Sequence, residues 1–405
     1  MSRRAMLDAI VVGAGAVGGA LALSLARDGF EVALVEAREP RPWQADAVDL
    51  RVVALAPDAR ALLDDLGVWP GIAAARAGAY RKMTVWDALA PGTLHLDAAD
   101  RGEAALGWIV ENLLVQQALW RALAGGAPAA AAGDGRAAVR VHCPAEVVEL
   151  DNADDAVTAT LDDGTRLRAR LLVAAEGAMS PLRSRLGLGF DGRDYGQRAV
   201  VAHVATERPH EQTAWQRFLP GGPLAFLPLA DGRSSIVWSL PEADAARVLA
   251  LDDEAFRGEL GGAFDFRLGP ITATTPRAAF PLRLRLADRY LAGRCLLAGD
   301  AAHVVHPLAG QGMNLGLRDV ACLRRVLNEA RDRGSDIGAS HVLRRYERDR
   351  RSATTLAAQG FDAIARAFAP EAVPLAALRG AALGVAGRVT PLRHLLMDVA
   401  AGRIM

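Results

Sequence analysis

The sequence predicts an α/β fold: a parallel nucleotide-binding sheet, interrupted by an inserted β-sheet domain and followed by a C-terminal helical segment. Three observations carry this. An apolar run, Ala9–Val12, leads directly into Gly13-Ala14-Gly15-Ala16-Val17-Gly18. A stretch from about Ala199 to Ser239 alternates short strand-like segments and is poor in helix signals. A second buried strand, Cys295–Ala298, then precedes a helical pattern over Gly312–Arg331. A chain of 405 residues exceeds one small core, so two closely joined domains are expected. The expected boundaries are 1–185 and 285–330 for the two parts of the nucleotide-binding domain. The sheet-rich domain takes 186–284, and the helical region takes 331–405.

Taken in order, Ala9–Val12 reads as a buried parallel strand, Val17–Arg27 as a helix and Glu31–Glu36 as the next strand. Asp58–Leu66 and Leu113–Leu123 have helical periodicity, and the alanine- and glycine-rich stretch 124–136 reads as a surface loop. Ala145–Leu150, Ala156–Leu161 and Arg166–Ala174 are strand-like, with Asp162-Asp163-Gly164 as the hairpin turn between the last two. The inserted strands are Ala199–Ala205, Trp215–Leu219, Ala225–Leu229 and Ser234–Leu240. Helical patches follow at Glu242–Leu251 and Asp253–Leu260, and from Ser340 onward the pattern is mostly helical.

Hydrophobic content of 51% with 23% charged residues describes an ordered globular chain. Zero net charge gives no electrostatic footprint for nucleic acid. Three cysteines, Cys143, Cys295 and Cys322, form no CxxC and cannot all pair, which fits a reducing, cytoplasmic compartment. Ala9–Ala26 is an uncharged run after Arg3-Arg4 that superficially resembles an export signal, but its glycines are spaced as a strand–helix turn.

The glycines of that turn have separate tasks. Gly13 permits the tight turn, Gly15 lets backbone approach a pyrophosphate, and Gly18 allows close helix–strand packing. The pyrophosphate meets the positive end of the helix dipole. Glu36, at the end of the second strand, is placed to bind the ribose hydroxyls of a dinucleotide.

A second glycine-bearing signature, Gly299-Asp300-Ala301-Ala302-His303, continues into His306-Pro307-Leu308-Ala309-Gly310-Gln311-Gly312-Met313-Asn314. With Asp49–Leu55, Leu66-Gly67-Val68-Trp69, Ile109–Asn112, Gln116, Gly222–Leu229 and Ser235–Trp238, it resembles the flavin-dependent ring hydroxylases of ubiquinone biosynthesis. These belong to the para-hydroxybenzoate-hydroxylase-like monooxygenases. The resemblance covers nearly the whole chain. It implies a Rossmann-like FAD-binding domain holding one FAD, with Arg51 and Gln116 along the cofactor and Asp300 on the ribityl hydroxyls. Pro307, Gly310, Gln311, Gly312, Met313 and Asn314 would run beside the ring system, where backbone N–H groups stabilise negative charge.

The implied chemistry uses NADH or NADPH to reduce FAD, and O2 to form a flavin hydroperoxide that hydroxylates an electron-rich ring. The implied substrate is a polyprenylated phenol or quinol, with peripheral contact at the inner membrane or with a quinone-synthesis complex. The cofactor carries the difficult steps, so the protein's tasks are binding, orientation and exclusion of water. The middle motif departs from the family: Ala175-Glu176-Gly177 stands where Asp-Gly is usual, which moves the carboxylate by about 1.5 Å.

Arg217, Phe226, Pro228 and Trp238 are expected as substrate-pocket walls, with plain sheet core as the alternative reading of the last three. His306 is a candidate for proton transfer at the flavin edge or for packing before Pro307. No metal set is expected, because Cys295, His303 and His306 match no ligand spacing. Segments over 375–405 suit an amphipathic interface helix or packing on the enzyme body. Two hydroxylase branches stay open, acting on the polyprenylphenol or on the methylated, methoxylated quinol. A prenyl reductase, a monooxygenase on another aromatic substrate and a non-catalytic FAD-binding subunit are the other readings.

Overall fold

The structure is a computed structural model that describes residues 6–124, 138–305 and 312–368, together with 380, 389, 391, 394, 397 and 398. The expected loop 124–136, apart from Ala124, lies outside them, as do His306, Pro307, Gly310, Gln311 and most of 375–405.

The first sheet is built on β1 (Leu7–Val12), β2 (Val32–Val35) and Arg166–Ala174, with β1 in the middle and all three parallel. Arg140–His142 extends it on one side and Cys295–Leu297 on the other, also parallel. Apart from Asp8 at the start of β1, both strands are apolar and buried because α1 (Ala16–Arg27) and further helices cover the sheet. Val157–Leu161 pairs antiparallel with Arg166–Ala174 across the expected Asp162–Gly164 turn.

The strand tips converge on the glycine turn. Gly13 N–H donates to Val35 O at 2.8 Å and Ala175 N–H to Val12 O at 2.8 Å. Gly13 has φ +103°, and a Cβ there would lie 2.5 Å from Ala175 O. A Cβ on Gly18 would lie 1.9 Å from Gly13 O, so only glycine lets α1 start this close to the strand.

The second sheet runs in the order His303–Val304, Ala278–Ala287, Phe190–Thr206, Ser234–Pro241, Gly222–Pro228, Thr213–Leu219, Lys82–Asp87, Thr93–Asp97. The expected inserted strands are all present. The sheet also draws Lys82–Asp87 and Thr93–Asp97 from far upstream, and Thr213–Leu219 pairs parallel with the former. Helices Glu242–Ala250 and Asp253–Ala263 cover one face. Two long helices, Gly312–Asp332 and Ser340–Phe368, complete the fold. At its described points the C-terminal stretch packs on the body: Met397 is buried among Val85, Leu94, Leu96 and Phe218, and Asp398 pairs with Arg101 at 2.5 Å.

Gly18→Ala therefore drives a methyl into immovable backbone. We expect a loss of at least about 2 kcal/mol, against little change for Gly15→Ala, which meets nothing within 4 Å. Denaturant midpoints check this; a Gly18→Ala midpoint equal to wild type refutes the packing argument.

Candidate functional site

Of the residues expected at the cofactor, Gly13, Gly15, Glu36 and Asp300 follow the C-terminal ends of the first sheet's parallel strands, where α/β sheets take ligands. Gly15 caps α1, no side chain caps that helix, and no acidic residue occupies its first turn. The N-terminal N–H groups are thus left for an anion, and the space around Gly15 is open. Glu36 is half-buried at the tip of β2; its Oε2 accepts from Ala14 N–H at 2.5 Å and its Oε1 from Arg38 N–H at 3.1 Å. Gln116, on the helix Asn112–Ala124, reaches the same turn, its Nε2 3.5 Å from Ala14 O.

Asp300 sits on the turn that leaves Cys295–Leu297. Its side chain is exposed and makes no hydrogen bond to a described residue, yet protein crowds the recess around it. The loss of water raises its carboxyl pKa, against the pull of His303 and Arg51. A carboxylate with no donor among the described residues fits a ligand rich in hydroxyls.

One buried ion cluster fixes that turn. Asp319, fully buried on Gly312–Asp332, accepts from Gly299 N–H at 2.9 Å, from His303 Nε2 at 2.7 Å and from Arg350 Nε at 2.7 Å. Burial alone would raise its pKa; His303 and Arg350 outweigh this and hold it below the usual carboxylate value. His303 thus belongs to this cluster, and among the described residues no group of three or more His, Cys, Asp or Glu is arranged for a metal. Cys295 is fully buried, and burial pushes its thiol up to about 12.

Asn314 is fully buried and bridges helix to loop: its Oδ1 accepts from Ala56 N–H at 2.9 Å and its Nδ2 donates to Ala54 O at 2.8 Å. Gly312 begins the same helix with open space around it, and Met313 packs against the main core. Glu176 turns inward rather than toward the recess. Its Oε2 accepts from Ser180 Oγ at 2.6 Å and Leu182 N–H at 3.2 Å, capping the short helix Pro181–Arg185. Burial raises its pKa against these hydrogen bonds.

A cavity of about 310 Å³ lies between the second sheet and these segments. Arg51, Val52, Val304 and Val305 line one side; Gln216, Ala225, Leu227, Ser235, Val237 and Ser239 of the sheet's central strands line the other. The expected walls Arg217, Phe226, Pro228 and Trp238 do not line it. They stand at alternate positions on the other face, where Phe226 stacks on Phe264 at 3.7 Å between centroids and Arg217 Nη1 donates to Ala263 O at 2.9 Å. The physical reason is volume. Large aromatics fill the gap beneath the helices, and small residues on the facing side leave room for a ligand. Phe280 and Arg283, also lining residues, come from the strand Ala278–Ala287. The sequence reading passed over it, although Leu282, Leu284 and Leu286 alternate with Arg283 and Arg285.

The FAD-binding domain family matches residues 6–360. The chain belongs to that family. Ubiquinone hydroxylase UbiL of Rhodospirillum rubrum is 38% identical over 397 residues, covering 98% of this chain and 90% of the relative. The 3-demethoxyubiquinol 3-hydroxylase of Escherichia coli is 36% identical, covering 97% of both chains. The mitochondrial ubiquinone biosynthesis monooxygenase COQ6 of Mus musculus is 33% identical, covering 97% and 90%. In fold, the p-nitrophenol 4-monooxygenase PnpA from Pseudomonas putida DLL-E4 superimposes with a TM-score of 0.76 at 22% identity, covering 99% of both chains. Klebsiella pneumoniae HpxO complexed with FAD and uric acid gives 0.68 at 20% identity, covering 98% of this chain and 96% of that one. The resemblance to ubiquinone-pathway flavin hydroxylases and the α/β fold class are borne out. The open helix start, the ready carboxylate of Asp300 and the ungated space at Gly15 and Gly312 fit FAD.

Two predictions follow from this geometry. Asp319→Asn should lose about 3–5 kcal/mol at neutral pH by leaving Arg350 buried without its partner. A carboxylate with a depressed folded pKa stabilises above its unfolded value and stops doing so as pH falls through the folded one. The gap between variant and wild type should therefore narrow below about pH 4, and a pH-independent gap in denaturant unfolding would contradict this. Ala225→Phe should fill the cavity and abolish turnover while retaining flavin. Phe226→Ala should destabilise by about 3–5 kcal/mol; the reverse pattern in activity and melting assays would mean the sheet faces are misassigned.

Proposed function

We propose that this protein is an FAD-dependent monooxygenase that hydroxylates the aromatic ring of a polyprenylated phenol or quinol on the route to ubiquinone, with O2 and NADH or NADPH as co-substrates. The observation that carries this reading is the cavity: an apolar, small-residue sheet face with a few polar groups, bounded on its other side by Leu50, Arg51, Val52, Val304 and Val305. Its volume of about 310 Å³ suits a substituted ring, at the lower end of small-molecule sites (roughly 300–1,000 Å³). A long prenyl tail extends beyond it toward the bilayer, so the reading includes peripheral contact with the cytoplasmic side of the inner membrane. Among the described residues no helix is long and apolar enough to cross a membrane.

In this reading Gly13, Gly15 and Gly18 shape the pyrophosphate site, and the α1 N-terminus stabilises its charge. Glu36 takes the adenosine ribose, Asp300 the ribityl hydroxyls, and Gln116 and Arg51 flank the cofactor. Gly312, Met313 and Asn314 set the helix start beside the flavin. When bound, FAD supplies the two-electron reduction and oxygen-activation chemistry. The chain's own residues orient the ring: Leu227, Val237 and Phe280 exclude water, and Gln216 and Ser239 offer hydrogen-bonding groups to ring oxygens.

The test is product analysis. FAD-loaded protein given NADH or NADPH and a short-chain demethoxyubiquinol should form a product heavier by one oxygen atom, and a strain lacking the gene should accumulate the precursor short of that atom. Nicotinamide oxidation that yields only hydrogen peroxide, with an unaltered quinone profile in a strain without a second hydroxylase, rules the reading out.

A further inference from the structure

A buried serine in the cavity wall, Ser235, and the histidine behind it, His203, each keep a polar atom without a hydrogen bond among the described residues. His203 and Ser235 are each 1% exposed. They stand directly opposite in the antiparallel register of Phe190–Thr206 with Ser234–Pro241. Both share the parity of the cavity-lining residues Val201 and Val237, and Ser235 itself lines the cavity. His203 Nε2 lies 3.1 Å from Asp49 O. A carbonyl only accepts, so Nε2 carries the proton and Nδ1 of the neutral ring is a bare acceptor. Among the described residues neither His203 Nδ1 nor Ser235 Oγ has a hydrogen-bond partner; what sets this pair apart from the other unpaired buried atoms is its place opposite one another beside the cavity, where a bound ligand would complete the hydrogen bonding.

We propose that His203 is the proton acceptor for the substrate's ring hydroxyl, acting through Ser235. The inference rests on the phenol or quinol reading of the cavity. The ring O–H bond breaks, its electron pair stays on the ring oxygen, and the proton passes to Ser235 Oγ. The serine's own proton passes to His203 Nδ1. Phenol becomes phenolate, imidazole becomes imidazolium, and no oxidant is consumed. The phenolate pushes electron density onto its ortho and para carbons, which suits attack by an electrophilic oxygen. Paired positions on one sheet face have Cβ atoms about 4.5–5.5 Å apart, so rotation of the serine spans the gap.

The surroundings support this. Burial lowers the pKa of His203 and keeps the ring neutral; Arg233 adds to that effect, while the Asp49 carbonyl and the charges of Asp231 and Asp49 oppose it. Arg51 lines the same cavity and favours an anionic ring, while Arg283, also in the lining, is already paired with Asp194 at 3.0 Å.

The test uses FAD-loaded enzyme without reductant and 2-prenylphenol, bearing a single five-carbon tail, as the probe. Near-UV difference spectra across about pH 6–11 read ionisation of the bound probe, whose free pKa is close to 10. In wild type the bound phenol should ionise at least tenfold more readily than the free one. His203→Gln, which can still donate to the Asp49 carbonyl, and Ser235→Ala should both return it to the free value. In turnover, both variants should lower kcat by roughly 10²-fold with little change in KM, and the fall should be relieved as pH rises. Ser235→Ala carries the test if His203→Gln does not fold. A bound probe that ionises at the same pH in wild type and variants overturns the relay alone. A probe that does not bind wild type overturns the substrate reading of the cavity, and the relay with it.

Discussion

The site depends on a single buried carboxylate. Asp319 accepts from the Gly299 amide, the His303 ring and the Arg350 guanidinium, the first two on the turn 299–303 and the third on a distant helix. Two of them bracket Asp300, so the orientation of that carboxylate is inherited from the cluster. The third is on the helix Ser340–Phe368, which also buries Tyr346 with its hydroxyl on Leu297 O at 2.9 Å. A charge this deep is tolerated only because every strong donor aimed at it is in place. The turn it fixes leaves the first sheet at Leu297 and joins the edge of the second at His303–Val304. The cavity lies at that junction, with Val304 and Val305 in its wall.

The second constraint is the division of labour between the faces of the second sheet. One face holds Trp86, Phe226 and Trp238 against Phe256, Leu260 and Phe264 of the covering helix and the turn after it. The other offers Ala199, Ala225, Ser235 and Ser239 to the cavity. The aromatic layer makes the sheet rigid, and the small residues opposite make the space.

Glu176 shows how a substitution at a family motif is absorbed. The longer side chain folds back to cap Pro181–Arg185 instead of projecting into the recess. Arg183, on the same short helix, lies over Phe190 at 3.7 Å and donates to Ala301 O at 3.3 Å. The motif thereby remains attached to the Asp300 turn through its arginine rather than its acid.

Much of this was legible in the sequence, because much of it is local. The glycine turn, the strand before it, the helix after it and Glu36 at the next strand tip are dictated by spacing within a few dozen residues. The inserted strands were legible from period-two alternation, and the family from motifs whose order along the chain is itself information. Which face of each strand meets the cofactor was not legible. Both faces are apolar, and a one-residue choice of parity moves every wall residue, so Phe226 and Trp238 were expected where Ala225 and Val237 stand. Nor does any local pattern announce that Asp319 takes Arg350, or that His203 faces Ser235 with its Nδ1 unpaired. Those pairings are set by long-range register and helix docking, which bring together residues whose separation in the chain carries no signal. The sequence by itself determined the glycine turn and the family, because both are written in local spacing and motif order; only the tertiary structure decided the cavity, its walls and the placing of His203 opposite Ser235.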